Sequence, residues 1–369
     1  AVGGAIADTN KLAIGNNATV TVGAGVNETV YEFYIGTQIK APGVWGRTGG
    51  SAPNQSDRIL GDGTLTVAHS KYSWDTSSAT WDTTSANWVG ADTFWSDNGD
   101  AFFTNTAAAT TVTVNGPRIA DTVRVGNGTN NATFTFAGGP LTVSSLRVQG
   151  LTSNSKYTSG VGITTLNNLT LANIGNMAVG SWTLAIGGSS AVTVGGTIGG
   201  PDWGTLTIKD SAVVTVSNGV NSSAEAWMLN LNGGTLVTKN IRASDRETSG
   251  SPARLTFNGT IVKPLQNTND FVTVGYNDLS TVSALVGNGG AIFDTDGKNI
   301  AVTIGLKASG SGGLTKLGAG TLTLVSTNNT YTGATTIGGG CLTVSGDSTL
   351  TNAVPIANAS FETYDGATL

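Results

Sequence analysis

The sequence predicts an all-β fold, a parallel β-helix or β-solenoid with little helix, on three observations. A short unit returns throughout the chain, in which a Gly or other turn residue is followed by Thr alternating with Leu, Val or Ile. Glycine fills 53 of 369 positions, about twice its usual share of ~7%. Charged residues make up only 11%, against roughly 25% in an ordinary soluble domain. Together these exclude a coiled coil or helical bundle, which needs Glu, Lys and Arg in heptads. Irregular glycine spacing excludes collagen. A formal net charge of −5 is too small to keep the chain open by self-repulsion.

The unit appears as "NATVTVG" near Val20, "GTLTV" at Leu65, "GPLTV" at Leu141 and "SAVTVGG" at Val192. It returns as "GTLTI" at Leu206, "GGTLVT" at Leu236, "GTLTLV" at Leu322 and "GCLTV" at Leu342. A period of two puts the aliphatic residues on one face and the threonines on the other. Thr and Val are stiff and β-branched, which suits a pleated surface. Gly-Gly, Asn-Gly and Gly-Asn pairs supply the positive φ angles of tight turns. Short strands also build sandwiches and barrels, but each unit here has one narrow apolar face, which stacking into a solenoid would bury. About 20 residues per turn are expected. Leu65, Val143, Leu206, Leu236, Leu322 and Leu342 are the expected interior.

At 312–344 the pattern becomes specific: "GGLTKLGAGTLTLVSTNNTYTGATTIGGGCLTV". This resembles the autotransporter-associated, or passenger-associated, β-strand repeat of secreted bacterial surface proteins. The anchors are Lys316, Gly318, Gly320, Leu322, Leu324, Asn329, Tyr331, Gly333, Thr335, Ile337, Gly339 and Val344. Cys341 stands where a small polar residue is usual. The preceding "GGAIFDTDGKNIAVTIG" at 289–305 looks like the strand-turn-strand that often leads into such a repeat. The resemblance implies a right-handed parallel β-helix and an extracellular, cell-surface location.

Residues 31–67 resemble the closing piece of such regions, with a Gly-x-Trp-Gly turn (Gly43, Trp45, Gly46) and a final strand through Leu65 and Val67. Residues 72–105 resemble a piece that opens one. The expected organisation is therefore a closing segment at 1–70, a Trp-rich joint at 71–115 and a solenoid body at 116–369. Read from Leu369 into Ala1 and Val2, the text "DGATLAVGGAI" continues the strand motif in phase. One period of a tandem array or a head-to-tail filament is expected, with Ala1, Val2 and Leu369 at the contact. With a start at Ala1 and no basic n-region, an export signal is expected to lie outside this sequence.

Trp74, Trp81, Trp88 and Trp95 recur every seven residues. Ser, Thr, Asp and Gly between them exclude a helical heptad. The rings are either sugar platforms, as in a glycan-binding adhesin, or a hydrophobic plug over an open solenoid end, and the plug is favoured. Catalytic, cofactor and metal sites are not expected. His69 is the one histidine, is expected to be an exposed linker residue, and has no ligand partner at sequence spacing. Asp92, Asp97 and Asp100 are the densest acidic group but have no basic neighbour in sequence, which leaves a polysaccharide lyase or hydrolase as the least favoured alternative. Cys341 is expected to behave as a small hydrophobe, and Asp294, Asp296 and Gly297 as a plain turn. Scattered Lys and Arg exclude nucleic acid as a main partner, and no apolar run approaches the ~20 residues of a membrane-spanning helix.

Overall fold

A computed structural model describes residues 5–75, 80–103, 110–126, 134–149, 163–180, 183–200, 204–222, 227–243, 255–274, 283–345 and 360–363. Ala1, Val2 and Leu369 lie outside them. Among the described residues there is no helix. From Lys71 to Thr363 the chain winds into one 27-stranded sheet wrapped as a parallel β-helix with three faces. One turn shows the plan. Ser283–Val286, Ala291–Asp294 and Ile300–Val302 lie on the first, second and third faces. The next turn places Gly305–Ala308, Leu314–Leu317 and Thr321–Leu324 beside them, each parallel to its predecessor.

Registers between turns keep the parity of the side chains. Val214 pairs with Leu236 after 22 residues, Leu322 with Leu342 after 20, and Val262 with Phe293 after 31. The step therefore varies more than the expected 20, because corner loops differ in length while strands do not. In Thr205–Val216 the alternating aliphatic residues turn inward: Leu206, Ile208, Val214 and Val216 are wholly buried, Thr205, Thr207 and Thr215 are half-buried, and Val213 at an outward position is exposed. Val143, Leu206, Leu236, Leu322 and Leu342 all lie in this one core. Leu65 is buried too, but in a second, smaller core with Ile14, Val22, Val30, Phe33, Ile59 and Val67.

Corners are held by asparagine. The Oδ1 atoms of Asn168, Asn176, Asn288 and Asn299 each accept from a backbone N–H one turn on, of Ser189 (2.8 Å), Thr197 (3.0 Å), Ser311 (3.0 Å) and Thr321 (3.0 Å). Such bonds satisfy amides that leave the ladder at a corner. Lys316 performs the same service in reverse. Its stem is fully buried, and Nζ donates to the carbonyls of Leu317 (2.9 Å), Gly318 (2.8 Å) and Gly339 (2.9 Å), tying two turns together. Burial lowers its pKa, and Asp294 partly offsets this. Gly340 has φ +68°, and a Cβ there would strike the Gly320 carbonyl and Lys316 Nζ, so the bend needs glycine. The Asp294–Gly297 segment is a turn with Asp296 and Gly297 at positive φ. Cys341 differs from expectation: Leu342 takes the inward position, so the thiol lies half-buried on the outer side, 3.8 Å from Thr343 Oγ1.

Residues 11–67 repeat the same winding on a small scale. Lys11–Ile14 pairs in parallel with Glu32–Ile35, Val20–Thr21 with Ile59–Leu60, and Asn27–Val30 with Thr64–Val67. This is a short, separate β-helical segment whose second turn carries an insertion. Leu206→Ala should cost about 3 kcal/mol of stability, because it opens a cavity in a fully packed layer. Thr207→Ala, one residue on and facing outward, should cost under about 0.5 kcal/mol. Chemical denaturation followed by circular dichroism checks the contrast.

Candidate functional site

The candidate site is the joint between the short segment and the long β-helix, where aromatic and charged residues concentrate. At each facing end an antiparallel strand covers one strand edge. On the short segment, Gly43–Arg47 pairs antiparallel with Thr64–Val67, setting Trp45 opposite Leu65. On the long β-helix, Trp88–Gly90 pairs antiparallel with Lys71–Trp74, setting Trp88 opposite Trp74. An antiparallel cover stops a parallel edge from templating further strands. The two segments consequently belong to different sheets, and side chains bridge them.

Between Trp81 and Trp88 a turn lets the spacing of seven keep both rings on one side. Asp82 Oδ1 accepts the N–H groups of Thr84 (2.9 Å) and Ser85 (2.6 Å), and Asn87 Nδ2 donates to Thr80 O (2.6 Å). This reversal brings Trp88 back beside Trp81. Trp74, Trp81, Trp88 and Trp95 are all buried, at 0–2% exposure. Ring centroids lie 5.0 Å apart for Trp74 and Trp88, 5.2 Å for Trp81 and Trp88, and 4.9 Å for Trp88 and Trp95. Phe103 joins this cluster to Phe134 and Phe136 in the core behind it. Burial also pushes the Tyr72 phenol up to about 12. Rings this enclosed offer no face to a sugar.

His69 overturns the expectation of an exposed linker residue. It is 4% exposed, and its ring stacks on Tyr31 at 4.4 Å and 11°. Nε2 faces Asp100 Oδ1 at 3.0 Å and Asp121 Oδ2 at 3.1 Å. Burial alone would lower the imidazole pKa, but the two carboxylates outweigh it and raise it. The acidic group also has the basic partners its sequence neighbours lack. Asp97 lies 3.7 Å from Arg118 and accepts from Trp95 Nε1 at 2.9 Å, while Asp100 meets His69 and the Thr122 amide (3.1 Å).

Glu32, absent from the sequence reading as a site residue, anchors the other half of the joint. Its buried carboxylate takes Lys11 at 2.8 Å, Lys71 at 3.2 Å and the Tyr34 hydroxyl at 2.7 Å. Lys71 belongs to the long β-helix, so this ion pair crosses the joint, as does the Ser70 hydroxyl bond to Lys40 O. Burial pushes the Glu32 carboxyl up, yet the Lys11, Tyr34 and Lys71 hydrogen bonds prevail and hold it below the usual 4.5. Its sequence signal, an acid between aromatics in "YEFY", is too common to single out.

One stretch of the long β-helix is similar to a known family. Residues 314–344 match the passenger-associated-transport-repeat. The match begins at the strand holding Lys316 and ends at the strand holding Leu342, just over one turn further along the β-helix. No curated protein and no solved structure matches the chain significantly.

A depressed carboxyl pKa adds stability above its unfolded value, and that stability is lost as pH falls through the folded value. Glu32→Gln should therefore lower stability by about 2 kcal/mol at pH 7, leaving two cations short of an acceptor. The gap between variant and parent should close below about pH 4. Urea titrations across pH test this, and a gap that widens in acid contradicts it.

Proposed function

We propose that this chain is a structural, non-enzymatic stretch of a secreted bacterial surface protein, in which β-helical segments follow one another through joints to make a fibre or stalk. The passenger-associated-transport-repeat supports an exported passenger and a surface or secreted location. The observation that carries the stalk reading is the joint itself. A β-helical segment is closed by Gly43–Arg47 lying against its last strand, Thr64–Val67, and from Lys71 another opens under four tryptophans on the same chain. Repeating that arrangement, in tandem or between copies, lengthens the shaft without exposing a raw sheet edge. Its service is to space adhesive or matrix material from the cell.

A catalytic reading has little support in the joint's chemistry. Asp97 and Asp100 are engaged by Trp95, Arg118, His69 and the Thr122 amide, which leaves them poorly placed to shuttle protons. A glycan-binding reading based on the four tryptophans loses its platform, since the rings are covered. Purified full-length material should appear in electron micrographs as thin rods interrupted at regular intervals. Protease added to intact producing cells should remove the protein from their surface. Compact particles together with protease protection in intact cells would overturn the proposal.

A further inference from the structure

We propose that His69, Asp100 and Asp121 bind a divalent transition-metal cation, of the zinc type, that fastens the joint. The three side chains come from distant parts of the sequence. His69 lies on the connector between the two segments, Asp100 in the strand Gly99–Phe103, and Asp121 in the strand Thr110–Val125. Winding brings their donor atoms within 4.8 Å of one another.

The spacing suits an ion. Metal–nitrogen and metal–oxygen bonds of about 2.0–2.2 Å set donor atoms roughly 3.0–3.5 Å apart around zinc. Nε2 already stands 3.0 and 3.1 Å from the two carboxylate oxygens, and those oxygens lie within 4.8 Å of each other, so closing on an ion requires the half-exposed Asp121 carboxylate to swing toward Asp100. Charge points the same way. Two carboxylates face one imidazole, and among the described residues no lysine or arginine pairs with Asp100 or Asp121. With a neutral imidazole the group carries two negative charges, which a divalent cation cancels.

The ligands are also held in advance. Stacking on Tyr31 fixes the imidazole plane, the Thr122 amide at 3.1 Å orients Asp100, and His69 and Asp100 are buried. Asp121 keeps a 42% exposed side chain, which leaves an approach for the ion and for water to complete its coordination. A nitrogen with two oxygens favours zinc or its neighbours over calcium or magnesium, which take oxygen. Tyr31 belongs to the short segment and Asp100 and Asp121 to the long β-helix, so an ion on His69, which stacks on Tyr31, stiffens the connection between segments.

The test uses the full chain after treatment with EDTA, titrated calorimetrically with zinc chloride and separately with calcium chloride. One zinc per chain is expected, at a dissociation constant of about 10 μM or tighter, with a rise in melting temperature that calcium does not give. Asp121→Asn preserves shape at a half-exposed position, and His69→Gln removes the nitrogen. Each should weaken zinc binding at least about tenfold, and cobalt in place of zinc should lose its visible absorption in His69→Gln. Failure of the parent chain to bind zinc below about 100 μM overturns the proposal, as does unchanged affinity in Asp121→Asn. Neither outcome bears on whether the chain forms a surface stalk.

Discussion

Parallel pairing between successive turns is the constraint from which the rest of this structure follows. Each strand must pair with the one a turn earlier, with bulges confined to a few positions, because most of its N–H and C=O groups have no other partners. Parity is inherited from turn to turn, so an inward Leu stands over an inward Leu or Val along the shaft. That is why the alternation of Thr with aliphatic residues persists while loop lengths drift. It also explains the corners, where Asn carboxamides and the buried Lys316 ammonium satisfy groups that the ladder leaves behind.

The same constraint makes the ends the weak points. A parallel edge invites another strand, and both edges at the joint are closed by reversing the chain, through Gly43–Arg47 and Trp88–Gly90. Closing them forfeits backbone continuity between the segments. What holds the joint is therefore of a different kind: a Tyr–His stack, a carboxylate shared by two lysines, and an imidazole between two aspartates. In a chain with so few charged residues, this concentration of buried charge at one place is informative. Such groups cost desolvation and repay it only in fixed geometry, so they favour one arrangement of the segments over others.

The architecture was legible in the sequence because alternation and turn chemistry are local. Leu206, Leu236 and Leu322 could be assigned inward from their own neighbours, and 314–344 could be recognised from its anchors. The Trp-rich joint could be expected from its aromatic spacing, but its charged contacts could not, because they depend on winding. His69 has no acid beside it in sequence, and meets Asp121, 52 residues away, only after the β-helix has turned. Glu32 and Lys71 are likewise joined by a chain reversal that no periodicity announces. Leu65 carries the same motif as Leu206 yet lies in the smaller core, since a strand's pattern does not say which segment it will join. Cys341 was assigned by residue type, and parity with Leu342 sends it outward instead.

Register is the most direct test of the central claim, and the native thiol supplies half of it. Thr321 and Cys341 are partners on adjacent turns, both half-buried on the outer side, whereas Thr323 pairs with Thr343. Neighbouring parallel strands lie about 4.8 Å apart, within the Cα separation of a disulfide. Under mild oxidation, Thr321→Cys should close a bridge to Cys341 in the folded protein, seen as loss of free thiol and a tryptic cross-link. Thr323→Cys should leave both thiols free. Bridging from position 323 in preference to 321, or from neither, would contradict parallel stacking of the turns.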